Sequence, residues 1–180
     1  MKARTVLIGL LVIAVLASLA RYGLRERRPA PMAPAPADSA QTGVKAVRFY
    51  FGAANGDSLV AETRELIEPA GLHERVAALV AELDRGPRGR GVAVLPAGTS
   101  VLHVYLDDQG LMTLDLSGAF RQRFRGGSSA EYLAVASLVR TLGANLPETK
   151  RILIVCAGRP LGTLGGHLAL DRPLDVGDWP

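Results

Sequence analysis

The uncharged run Thr5–Ala20 (TVLIGLLVIAVLASLA) most constrains this chain, because no face of it is polar and it cannot serve as a surface helix of a globular domain. As a helix it would span roughly 24 Å, against a hydrocarbon thickness of about 30 Å. Arg4 and Arg21 flank it and Tyr22 follows, residues suited to snorkelling and to the membrane interface. We read residues 5–20 as a membrane segment inside an N-terminal anchor, 1–28, with basic flanks. The alternative is a signal peptide cleaved near Ser18-Leu19-Ala20. A lipoprotein-type anchor is not expected, since the single cysteine, Cys156, lies far downstream. Lysine and arginine are more numerous after the run than before it, whereas a short basic start ahead of an apolar run argues the opposite orientation. These residues alone leave the side of the membrane open.

Residues 29–43 (PAPMAPAPADSAQTG) alternate proline with small residues. Proline removes backbone donors and favours polyproline II, so the stretch reads as a solvated, semi-rigid linker. It leaves residues 44–180 for one small domain. The formal charge of +4 invites a nucleic-acid reading, but its distribution removes it. Residues 1–28 hold Lys2, Arg4, Arg21, Arg25, Arg27 and Arg28 against Glu26, a net of +5, which leaves −1 for everything else out of the total of +4. A nucleic-acid-binding domain concentrates positive charge on its own surface, and this one does not.

Within the domain, Val44–Phe51 and Leu59–Ile67 alternate as strands do, the second as an edge strand. Leu72, Val76, Leu79, Val80 and Leu83 form one helical stripe that Gly86-Pro87 ends. Ser100–Leu106 and Leu111–Leu116 make a hairpin around Asp107-Asp108-Gln109-Gly110. Ser128-x-x-Glu131 reads as a capping box opening a second amphipathic helix that Pro147 closes. Arg151–Cys156 is a buried strand, and a short strand follows at Pro160–Thr163. The expected fold class is α+β: a mixed or antiparallel sheet in βαββαβ-like order, with two helices on one face.

The polar residues give little chemistry. His73, His103 and His167 sit on separate elements, and no cysteine–histidine spacing suggests a metal. Asp115 and Ser117 look catalytic in isolation, but no G-x-S-x-G elbow surrounds Ser117. Gly162-x-x-Gly165-Gly166 lacks the lysine and the following helix of a phosphate loop, and its glycines suit a turn with positive φ. No catalytic residue, cofactor or metal ligand is expected. The surface feature that stands out is Phe120–Gly127, where Arg121, Arg123 and Arg125 alternate. On an extended segment all three guanidinium groups would share one side and suit a carboxylate or phosphate partner.

Several local strings, taken in order, resemble the GerMN domain of sporulation and germination proteins. Val47–Phe51 is similar to its first strand, Leu79–Pro87 to a helix-ending LL-x-GP element, and Leu95–Thr99 to a P-x-G-T turn. Leu114–Phe120 is similar to a VDLS-x-x-F segment, and Val139–Leu142 stands where VNTL is usual, with Arg140 in place of asparagine. Leu164–His167 and Arg172–Leu174 close the match. The resemblance implies an extracytoplasmic domain, with the N-terminus inside, and a fold similar to ring-building modules. It also implies a non-catalytic binding or assembly role in the cell envelope, extending to oligomeric assembly. The expected partner is an envelope protein or an anionic wall polymer. A hydrolase acting on wall polymers is the alternative, and would require a polar cleft gathering His167, Asp115 and Ser117.

Overall fold

The computed structural model describes residues 43–179; the anchor expected over 1–28 and the linker up to Thr42 lie outside the described residues. Strand β1 (Val44–Gly52) pairs antiparallel with β2 (Leu59–Ile67) in an unbroken register from Val44↔Ile67 to Gly52↔Leu59. Helix α1 (Leu72–Arg85) follows, then the hairpin β3 (Val101–Leu106) and β4 (Leu111–Leu116), the single turn α2 (Ala119–Gln122) and the long helix α3 (Ser128–Asn145). The chain ends in β5 (Arg151–Cys156), the two-residue strands β6 (Arg159–Pro160) and β7 (Leu174–Asp175), and a 3-10 turn at Val176–Asp178. The last expected strand is therefore shorter than Pro160–Thr163 and begins one residue earlier.

A mixed α+β architecture is present, but not around one sheet. β1 and β2 form a two-stranded sheet of their own, and the second sheet runs β3-β4-β5-β6 with β7 beside β5. The β4–β5 pairing is parallel, as a crossover through α2 and α3 permits, and the other pairings are antiparallel. Met112, Leu114 and Leu116 of β4 alternate inward, as do Ile152, Ile154 and Cys156 of β5. They meet Val47, Phe49 and Phe51 of β1 and the buried stripe of α1 in a single core. Gly86 closes α1 at φ +85°, a conformation that disfavours any side chain.

Helix α3 departs from expectation. It is buried almost all round, with Leu133–Val139, Thr141 and Leu142 all inside, whereas the periodicity predicts one apolar stripe. The cause is its position along β1, whose outer edge has no neighbouring strand among the described residues. Thr141 accepts the Tyr50 N–H at 3.1 Å, and Ser137 donates to the Tyr50 carbonyl at 2.5 Å. Asn145 accepts the Arg48 N–H at 3.0 Å and donates to its carbonyl at 2.7 Å. Spaced four residues apart, these three side chains lie on one helix face and take the place of a strand. Gly52 completes the edge through a two-way backbone bridge to Val92, at 3.0 and 2.7 Å.

Thr141→Val keeps the shape but leaves the Tyr50 N–H buried without an acceptor. We predict a loss of about 1–3 kcal/mol in urea unfolding. An unchanged unfolding midpoint would show that Thr141 does not carry this edge.

Candidate functional site

The residues with apparent chemistry are held apart by their bonding. The Ser117 hydroxyl accepts the Ser100 N–H at 3.1 Å and donates to the Gly98 carbonyl at 3.3 Å. Asp115 accepts the Gly158 N–H at 3.0 Å and lies 3.4 Å from Nδ1 of exposed His103. His167 pairs with a different carboxylate, Glu131, and His73 is exposed at the start of α1. No hydrogen bond among the described residues joins His167, Asp115 and Ser117. The same described residues contain no cluster of three or more histidine, cysteine or acidic side chains placed to hold a metal. Cys156 is buried in β5, with its sulfur 3.4 Å from the Ser117 carbonyl.

Glu131 corrects the expected capping box. Gly127 is the N-cap of α3, and no side chain among the described residues caps the helix. The Glu131 carboxylate instead turns inward and accepts the N–H groups of Leu164, Gly165 and His167, each at 2.8 Å. The loop that does not qualify as a phosphate cradle is thus an anion nest after all, and its anion is supplied from within the chain. Gly165 is required there, because a Cβ would come 2.6 Å from the Phe124 ring. Burial alone would raise the Glu131 carboxyl, but the backbone donors of Gly165, His167, Leu164 and Leu168 outweigh it and hold it below its ordinary 4.5.

A second buried charge cluster, centred on Arg64, escapes the sequence reading. Its guanidinium lies 5.1 Å from the ring centres of both Phe49 and Phe51. It donates to Glu82 at 2.6 Å, to Glu62 at 2.8 Å and to the Gly86 carbonyl at 2.7 Å, pinning the hairpin to the end of α1. Arg85 also pairs with Glu82. Burial would raise the carboxyls of Glu62 and Glu82, but the hydrogen bonds from Arg64, with those from neighbouring groups, hold both below the usual value. The available signal was phase: Arg64 stands in register with Val60 and Leu66 on β2, and Glu82 stands between Val80 and Leu83 on the buried side of α1.

The arginine segment is not extended. Residues 119–122 make a helical turn that buries Phe120, so alternation no longer aligns the three side chains. Arg121 lines one concavity together with Arg159 and Gln122. Arg123 and Arg125 line another, of about 680 Å³, with Pro96, Ser128, Ser129 and Leu133. Gly127, Ser128, Ser129 and Ala130 at the start of α3 line this second concavity, which places the helix's positive dipole end beside it. Arg123 donates to the Ala97 carbonyl at 3.2 Å, and Arg125 to the carbonyls of Gln122 and Phe124 at 2.8 and 2.7 Å. These bonds set where the two exposed guanidinium groups stand without neutralising them.

Residues 48–162 match the family described as Germane: Sporulation and spore germination. Among solved structures, the tandem GerMN domains of the sporulation protein GerM from Bacillus subtilis superpose with a TM-score of 0.58 at 23% identity, covering 76% of this chain and 48% of that one. The first GerMN domain of the same protein gives 0.54 at 24% identity, covering 71% and 96%. A protein from Clostridium perfringens described as a lipoprotein gives 0.53 at 20% identity, covering 76% and 90%. These structural likenesses speak to fold. Among curated proteins no sequence matches this chain.

Glu131→Gln tests the nest. Because the folded-state value is lowered, the stabilisation is complete above the ordinary carboxylate range and disappears as pH falls through the folded value. We expect wild type to exceed the variant by on the order of 1–3 kcal/mol at neutral pH, with the gap closing below about pH 4.5. A gap independent of pH would contradict this role.

Proposed function

The chain belongs to the Germane family, and from that premise we propose that it is a non-catalytic, extracytoplasmic binding module tethered to the cell membrane, serving an assembly of the envelope. The apolar run Thr5–Ala20 supports the tether, and the GerM and lipoprotein relatives support a membrane-associated domain on the outer side. The partner is anionic, an envelope protein or a wall polymer. The observation that carries this reading is the joint placement of Arg123, Arg125 and the uncapped start of α3 around one concavity. Guanidinium forks and free helix N–H groups both favour carboxylate or phosphate oxygens. Arg121, which faces a separate concavity, contributes less. A hydrolase acting on wall polymers lacks comparable support, because the Ser117 hydroxyl is engaged with backbone groups and has no imidazole partner among the described residues.

The test is capture of envelope components by the full chain and two variants. The double change Arg123→Gln/Arg125→Gln should abolish the salt-sensitive part of the captured set, since exposed charges are screened beyond about 8 Å at physiological salt. Arg121→Gln should retain most of it. An identical set for wild type and the double variant, at both low and high salt, would remove the electrostatic partner from the account.

A further inference from the structure

The two edges of the β1–β2 hairpin are treated differently. On β1, the outward-pointing groups of Arg48, Tyr50 and Gly52 are bonded to α3 or to Val92. Because β1 turns these residues outward, its alternate residues Val47, Phe49 and Phe51 bond to Arg64, Glu62 and Val60. The groups of Ala61, Thr63, Glu65 and Ile67 therefore point away from the hairpin, and none has a hydrogen-bond partner among the described residues. This edge carries three charged residues, Glu62, Glu65 and the inward-turned Arg64. It contains no proline, lysine or bulge, whereas the edge strand β3 carries a register shift between Val101 and His103.

We propose that β2 is a pairing edge, and that two copies of the chain join antiparallel through it on a two-fold axis at Thr63. The result is a continuous four-stranded sheet with both β1 strands outermost. This register uses the whole of β2. Thr63 meets its own copy, a favourable cross-strand pair. Glu65 faces Ala61 of the partner subunit, and Ile67 faces Leu59 of the partner subunit. Ile67 and its neighbour Val44 are 65% and 67% exposed in the single chain, and they pair with each other at the end of the hairpin where the second copy would arrive. On the opposite face, Glu62 comes opposite Arg64 of the partner subunit, so no like charges meet there, although each Arg64 stays bonded within its own chain.

Charge also selects the register. An axis two residues further along sets Glu65 against itself, and one two residues earlier sets it against Asp57 of the partner subunit. Like charges directly opposite destabilise a sheet. The occupant is thus a second copy, and a foreign strand is the competing outcome.

The full chain in detergent, measured by light scattering across a dilution series, should show a dimer. Thr63→Lys places two ammonium groups at the axis, and Thr63→Pro removes an outward N–H that the β1–β2 ladder does not use. Both should yield monomer with unchanged far-ultraviolet circular dichroism, and either variant suffices if the other fails to fold. Register is read by oxidation with copper phenanthroline. Facing Cα atoms in a hydrogen-bonded pair lie about 5.5 Å apart, within disulfide reach, so Thr63→Cys should cross-link into a covalent dimer. Glu65→Cys should not, its two copies being roughly 14 Å apart at about 3.4 Å per residue. A monomeric wild type, variants as dimeric as wild type, or cross-linking through residue 65 rather than 63 would each overturn the proposal. Monomeric wild type that gains a strand-like partner from envelope extract would assign the edge to a foreign strand. None of these outcomes depends on Arg123 or Arg125, so they are separable from the anion-binding reading.

Discussion

A hairpin that joins no larger sheet leaves a row of backbone donors and acceptors on each side, and a side that faces the core must be satisfied there. In this domain helix α3 meets that requirement with Ser137, Thr141 and Asn145. Much else depends on it. Because α3 lies along β1, it is buried on nearly all sides, and the polar residues it carries need partners inside the protein. One turn from its start, Glu131 is placed to bind the loop after β6. One helix thus fastens the first strand and the last loop of the domain.

The strings that carry the family resemblance converge on such fastenings. Thr141, from the segment resembling VNTL, bonds to Tyr50. Gly98 and Thr99, from the P-x-G-T turn, donate to Asp84 near the end of α1 at 2.7 and 3.2 Å. Ser117 ties β4 to Ser100, and the loop at Gly165 and His167 wraps the Glu131 carboxylate. Gly86 offers its carbonyl to Arg64. The shared residues thus describe how the chain is closed. Under the proposed function, specificity would fall to positions outside these strings, such as Arg123 and Arg125 beside α3.

Elements with regular periodicity were legible before the structure. The strands, α1 with its glycine stop and the Asp107–Gly110 turn follow from alternation, one apolar stripe and turn chemistry. Sheet membership was not legible, because it depends on which distant segments meet. Ser128-x-x-Glu131 satisfies a local capping rule, yet an outlet for Glu131 with three backbone donors more than thirty residues away won over the local bond. The three arginines alternate in sequence, but the helical turn Ala119–Gln122 that buries Phe120 takes in Arg121, and the three are divided between two concavities. Arg64 was hidden for a related reason: a charge in phase with apolar neighbours reads as an edge residue until its carboxylates, carbonyl and aromatic rings are seen around it.

Amide hydrogen exchange resolved by residue tests the role of α3 most directly. The Arg48 and Tyr50 amides, bonded among the described residues to side chains of α3, should exchange as slowly as amides inside the β4–β5 ladder. The Leu164, Gly165 and His167 amides on Glu131 should join that slow set, all opening together in global unfolding. Rapid exchange at Arg48 and Tyr50 while the β4–β5 ladder stays protected would contradict it, and would mean that the hairpin is held by its apolar side chains alone.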